Sequence, residues 1–283
     1  MNRRETLAMI GAGMAGVSTA GTTARSRPGR TLRTVDTANP RDLAMIYRKL
    51  AWIDGEGFGL WWLKGRRYAA VPPTYIPFWD MLIGVLFTVR DLDADTYAVT
   101  SLTTTFYTDI QSGALLETFH NPVTGRDVKV NYQPVRPTEH RYGLQGGLDE
   151  PPAIPETSTI RTSAPGPAFV EGDDVWLRAD VSARAVPTDP TRPAFQVEDL
   201  TTYFGSFQDI ADPAARSIAA AQVFTDLLNY PAWLEMGDRN GHYFSRCFGR
   251  KVFGIDSMPQ DWQRLMSENH PEILKDPRGA LHG

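Results

Sequence analysis

Residues 61–73 read WWLKGRRYAAVPP and residues 103–130 read TTTFYTDIQSGALLETFHNPVTGRDVKV. Side chains alternate along an extended chain, so in Gly57–Lys64 the residues Leu60, Trp62 and Lys64 share one face and Trp61 and Leu63 the other. In Thr103–Thr108, Thr103, Thr105 and Tyr107 stand opposite Thr104 and Phe106. The second stretch ends in Asn121-Pro122-Val123-Thr124-Gly125, which has the chemistry of a hairpin turn. Working outward, strand signals dominate. They predict strands at Gly57–Lys64, Tyr68–Val71, Met81–Asp91, Thr96–Thr108, Leu115–His120, Asp127–Gln133, Asp174–Val186, Phe195–Phe207 and His242–Val252.

Ala219–Leu228 reads equally as helix or strand. Thr37–Ile53 is predicted as a helix, started by Asn39-Pro40 and carrying Leu43, Ile46, Tyr47, Leu50 and Ile53 at helical spacing. A last helix is expected around Pro259–Met266. Residues 135–167, crowded with Pro, Gly, Ser and Thr, read as a long loop or lid. Hairpin-joined strands with helices only at the ends predict a mainly β fold, either an antiparallel β-barrel or a strongly curved sheet with flanking helices. Closure would leave an interior cavity. With no internal repeat and no linker, residues 28–283 are expected to form one domain.

Two readings compete for residues 1–27. Gly11, Gly13 and Gly16 spell the glycine fingerprint of a dinucleotide site, but no strand precedes them and no acidic residue lies between Glu5 and Asp36. Arg3-Arg4, a mildly apolar stretch from Leu7 to Val17 and small residues from Ser18 to Ala24 fit a twin-arginine-type signal segment. The expectation is export through the twin-arginine machinery, already folded, to the periplasm.

A formal net charge of −4 gives no global attraction to nucleic acid or anionic membranes, so no nucleic-acid partner is expected. The single cysteine, Cys247, excludes an intrachain disulfide and a Cys-based zinc site. His120, His140, His242, His270 and His282 lack metal-ligand spacing, and no nucleophile elbow or phosphate loop is present. No metal or nucleotide cofactor is expected. Self-association into a homo-oligomer is left open.

Three clusters could carry chemistry on a small ligand. On the first, Lys64 beside an aromatic platform of Trp61, Trp62 and Tyr68 would suit a phenolate or carboxylate; the plainer reading is a core Trp and a surface Lys. Tyr107 would move a proton once a nearby cation lowers its pKa, and His120 is a second candidate base, though it sits at a hairpin mouth. In the segment Trp233–Tyr243, Asp238 would orient Arg239 as an anion clamp, or the two would merely hold a loop. Trp176, near Arg178 and Asp180, with Tyr203 and His242 completes the candidate binding wall.

Several of these segments carry a resemblance. WWLKGRRYAAVP, FYTDIQSGALLETFHNPVTGRDVKV, NYQPV and LEMGDRNGHYF together resemble the bacterial DUF1838 family, from about Trp52 to Pro277. Many members resemble this chain in beginning with a twin-arginine-type signal. This chain departs from the family pattern at Thr104-Thr105, where an Arg-Glu pair is common, and at Phe119 and Val123, where Trp is common. The family label implies no activity, but an association of some members with plant-derived aromatics implies a phenolic substrate class.

Three functions follow as expectations. The first is a cofactor-independent acid–base enzyme, a lyase, deformylating enzyme or isomerase, acting on small aromatic or phenolic compounds, lignin-derived ones included. The second is a non-catalytic periplasmic carrier of apolar or aromatic ligands. The third is an interaction module using residues 135–167.

Overall fold

The computed structural model describes residues 31–147, 157–189, 194–239 and 241–282; the export-signal reading of residues 1–27 lies outside them. Along the chain run α1 (Pro40–Ala51), β1 (Gly57–Val71), β2 (Thr74–Asp91), β3 (Tyr97–Thr108), β4 (Thr118–Asn121), β5 (Arg126–Lys129), β6 (Thr138–Gly143), β7 (Gly146–Gly147) and β8 (Thr157–Glu171). Then follow β9 (Asp174–Pro187), β10 (Phe195–Ser206), α2 (Phe207–Ala211), β11 (Ala221–Asn229), β12 (His242–Val252), α3 (Gln260–Asn269) and α4 (Pro271–Lys275). Ten strands form one antiparallel sheet in the order β7-β6-β3-β2-β1-β12-β11-β10-β9-β8, and β4 with β5 makes a separate hairpin. The end strands β7 and β8 lie close together, so the sheet curls into a nearly closed barrel. The expected class, mainly β with flanking helices, is the one observed.

Two sequence expectations need correction, and one open reading is decided. Gly57–Lys64 and Tyr68–Val71 are one strand, because Gly65, Arg66 and Arg67 pair with β2 on one side and β12 on the other. Much of 135–167 is strand, not loop or lid: β6 pairs with β3, and β8 runs as a hairpin beside β9. That hairpin turns at Gly172, whose φ of +61° is easy only for glycine. Ala219–Leu228 resolves as strand β11, between β10 and β12.

Strict alternation divides β1 between two cores. Trp61 and Leu63 join Met81, Ile83, Phe87, Leu177 and Tyr203 inside the barrel. Leu60 faces out and packs with Leu82, Leu86, Leu102 and Phe106 beneath Trp262, Leu265 and Met266 of α3. The fit there is close: a Cβ on Gly84 would sit 2.3 Å from Trp262 Nε1. That nitrogen donates to the buried Thr104 Oγ1 at 3.0 Å, so the threonine anchors the outer helix.

The two ends of the barrel are stopped differently. Asn39 caps α1, its side-chain oxygen accepting from Arg41 N at 2.9 Å. Ile46, Leu50 and Ala51 of α1 bury completely in the inner core. Two buried lysines tie the helix in. Lys49 Nζ donates to the carbonyls of Ile210 and Asp212, and Lys251 Nζ to those of Lys49 and Trp52. Trp52, just after α1, meets Phe87 at 5.0 Å, whereas Phe119 of the β4–β5 hairpin meets Trp79, toward the other end of β2, at 4.9 Å. Contacts group Leu32–Gly283 into one compact unit.

Candidate active site in the barrel lumen

The inner face of the sheet is not filled. A cavity of about 420 Å³ remains inside the barrel, of a size suited to a small organic ligand. Its apolar wall includes Trp61, Leu63, Met81, Ile83 and Phe224, and its polar wall Ser101, Thr103, Thr105, Thr201 and Gln222. Trp61 is held in place because its Nε1 donates to the carbonyl of Ala51 at 2.8 Å. Tyr203 tilts against Trp61 at 5.6 Å between ring centres.

Arg67 and Asp226, both lining this cavity, form the polar centre. Arg67 lies on β1, on the face of Trp61 and Leu63, and Asp226 on β11, on the face of Gln222 and Phe224. Arg67 Nη1 donates to Asp226 Oδ1 at 2.6 Å, and the two side chains are only 5% and 9% exposed. Ser245, on β12 between them, donates to the same Oδ1 through its backbone N at 2.7 Å and its Oγ at 2.6 Å. Asp226 Oδ2 takes none of these bonds. The guanidinium also sits 4.4 Å above the ring of Tyr243. Arg67 Nε is buried with no hydrogen-bond partner, a desolvated donor in a group that lines the cavity.

Two phenols stand within the field of this pair. Burial pushes the Tyr107 phenol above its ordinary value, with Arg67 pulling it down and Asp226 pushing it up. Burial likewise pushes Tyr243 up to about 12, again with Arg67 opposing. Both therefore stay protonated at neutral pH, with a hydroxyl proton to offer. The expectation that a cation would make Tyr107 a base is corrected: desolvation outweighs Arg67. Tyr203 is also driven up by burial. Burial holds the Cys247 thiol at about 11, an unreactive state. Among the described residues no group of three or more His, Cys, Asp or Glu could hold a metal ion.

Of the residues singled out from sequence, Trp61, Tyr107 and Tyr203 meet in this cavity. The others do not. Lys64 stands on the outer face of β1, paired with Asp261 of α3 at 2.7 Å, and Trp62 shares that face. Tyr68 is outside as well, stacked on Phe244 at 5.2 Å. Trp176 lies between the fully inward Val175 and Leu177, so it points away from the lumen. His242 opens β12 one residue before the inward Tyr243 and so faces the other way.

His120 is an exposed hairpin residue bound to Asp127 at 2.7 Å. Asp238 and Arg239 are exposed in a turn, where Arg239 Nη1 donates to the carbonyl of Met236 at 3.1 Å rather than being clamped by Asp238. The physical reason is common to all: strand parity or a solvent-facing turn put these groups outside. Sequence reading missed Arg67, Asp226, Tyr243 and Ser245. Carrying the Trp61–Leu63 alternation through Gly65 would have reached Arg67, and an aspartate in the apolar run QVFTDLL was a signal for a buried acid.

The family model for proteins of unknown function called DUF1838 matches residues 56–282. The chain belongs to this family. The match spans β1 to the C-terminal helices, so Arg67, Asp226 and all of the lumen wall except Trp52 fall inside the DUF1838 region. A comparison with curated proteins found no match.

Proposed function

We propose that this DUF1838 protein is an acid–base enzyme of lyase, deformylating or isomerase type, acting on small aromatic or phenolic compounds, lignin-derived ones included. The observation that carries the reading is the buried Arg67–Asp226 pair, with its partnerless Nε, on the wall of an aromatic-lined cavity. In this scheme the ring lies against Trp61, Tyr203 and Phe224. Asp226 Oδ2 removes a proton from the ligand, while Ser245 and Arg67 hold Oδ1 and fix the carboxylate's orientation. Arg67 Nε faces the oxygen on which negative charge develops. Tyr107, kept protonated, donates to that oxygen or returns the proton.

Incubation of the purified protein with a panel of phenolic monomers and dimers, read by mass spectrometry, tests the reading. A new product is expected, and its rate should fall by about 10²- to 10⁴-fold in Asp226→Asn, the usual weight of a general base. Product formation untouched by that change would remove Asp226 from the chemistry. The carrier reading has one observation in its favour: burial holds the lumen phenols Tyr107 and Tyr243 protonated, so neither serves as a base. Binding with every compound recovered unchanged would establish it.

Export to the periplasm by the twin-arginine route belongs to the same proposal and rests on Arg3-Arg4 and the apolar stretch after them. Cell fractionation should find the protein in the periplasm and, with both arginines changed to lysine, in the cytoplasm. An unchanged distribution would overturn that part.

A further inference from the structure

Among the described residues the barrel wall has a gap. β6 pairs with β3 only over Tyr97–Ser101, and the next contact on that side of β3 is the bridge from Thr108 to Leu115. Between them, among the described residues, Leu102–Phe106 has no strand on that edge. A second cavity, of about 370 Å³, lies there, and Ser101, Thr103 and Thr105 line both it and the lumen. Thr103 is exposed although it lines the lumen. The two cavities therefore meet across a rail of three hydroxyls, and the outer one is a vestibule.

The two chambers differ in chemistry. The lumen is aromatic, and its Arg67 is already matched by Asp226. On its far side the vestibule is lined by Gln133, Pro134, Arg136, Thr138 and His140, with no acidic residue among them. Arg136 is exposed and makes no ion pair among the described residues. Glu139, the nearest acid in sequence, is engaged by Arg90 at 3.4 Å. One chamber thus suits a ring, and the other offers a free guanidinium to an anion.

We infer that the ligand is a two-part molecule, an aromatic ring held in the lumen and a carboxylate-bearing tail that crosses the Ser101–Thr103–Thr105 rail to Arg136. This rests on the lumen reading above and adds to it the class of ligand and the residue that selects it. Ring chemistry stays at Arg67 and Asp226, and Arg136 acts only in binding.

Calorimetry with para-hydroxyphenylpropanoate and its primary amide tests the inference, since the two differ only in the charge of the tail. The acid should bind about tenfold more tightly than the amide, the scale of one partly solvated charge-assisted hydrogen bond. Arg136→Ala should abolish that preference and leave the affinity for the amide unchanged, and Arg136→Glu should reverse it. Both substitutions lie on an exposed side chain, so folding is not at risk. Equal affinity for acid and amide in the unaltered protein, or a preference that survives Arg136→Ala, overturns the inference and leaves the lumen reading standing. Binding of neither compound overturns the lumen reading as well.

Discussion

Arg66 and Arg67 are neighbours in the chain and occupy opposite sides of β1. Each binds a carboxylate at 2.6 Å, Arg66 that of Asp80 and Arg67 that of Asp226. The outer pair leaves 36% and 37% of its side chains exposed, the inner pair 5% and 9%. Bond length does not separate these pairs; their surroundings do. Outside, water competes for both charges and salt screens them, so the pair adds little. Inside, each ion has given up its hydration and depends on the other, and removing one strands its partner. The inner pair is therefore fragile and chemically useful for the same reason.

The sharpest way to break this comparison is to remove one carboxylate from each pair and measure unfolding in urea. Asp226→Ala should cost about 3–5 kcal/mol, because it leaves the guanidinium of Arg67 buried without a counter-charge. Asp80→Asn should cost less than about 1 kcal/mol, and that loss should shrink further in salt. Similar losses for both would mean that burial does not distinguish them. Replacing both inner partners together, Arg67→Met with Asp226→Leu, should restore most of the stability lost in Asp226→Ala while leaving no turnover. Recovery of turnover in that double variant would place the chemistry elsewhere.

A smaller effect comes from the phenol beneath Arg67. Tyr243 is pushed up to about 12 by burial, from an ordinary value of 10.0. Its folded pKa is raised, so between these values the unfolded chain holds fewer protons than the folded one. The stability it contributes is fully present below pH 10 and is lost as pH climbs toward 12. Tyr243→Phe should reduce this alkaline loss by roughly 3 kcal/mol at most, given about 1.4 kcal/mol per pKa unit. Unfolding measured at stepped alkaline pH checks it, and identical slopes in both proteins would contradict it.

Much of this architecture was legible because alternation is a local rule. Trp61 and Trp62 had to part company, and so did Tyr107 and Phe106, and in the structure they do. Alternation does not say which face is the inside. Lys64 and Trp62 looked like a cation beside a ring facing a lumen, yet that face packs under α3, whose Asp261 lies almost two hundred residues away in sequence. The inner acid was hidden for a different reason. A run such as QVFTDLL satisfies both helical and extended patterns, and only its pairing with β10 and β12 decides between them. The turn at Asp238-Arg239 misled because residues dense in functional groups are also what solvent-facing turns are made of.

β1 lies between β2, its neighbour in sequence, and β12, which begins only at His242. The wall that carries Arg67, Ser245 and Asp226 is therefore stitched from early and late parts of the polypeptide. During synthesis, β1–β3 and β8–β11 emerge as two separate half-sheets, each able to pair within itself. Neither half holds a lumen until residues 242–252 leave the ribosome and bridge them. Such distant pairing makes the last step of folding slow, and the buried charges of Arg67 and Asp226 meet only in the final strand addition.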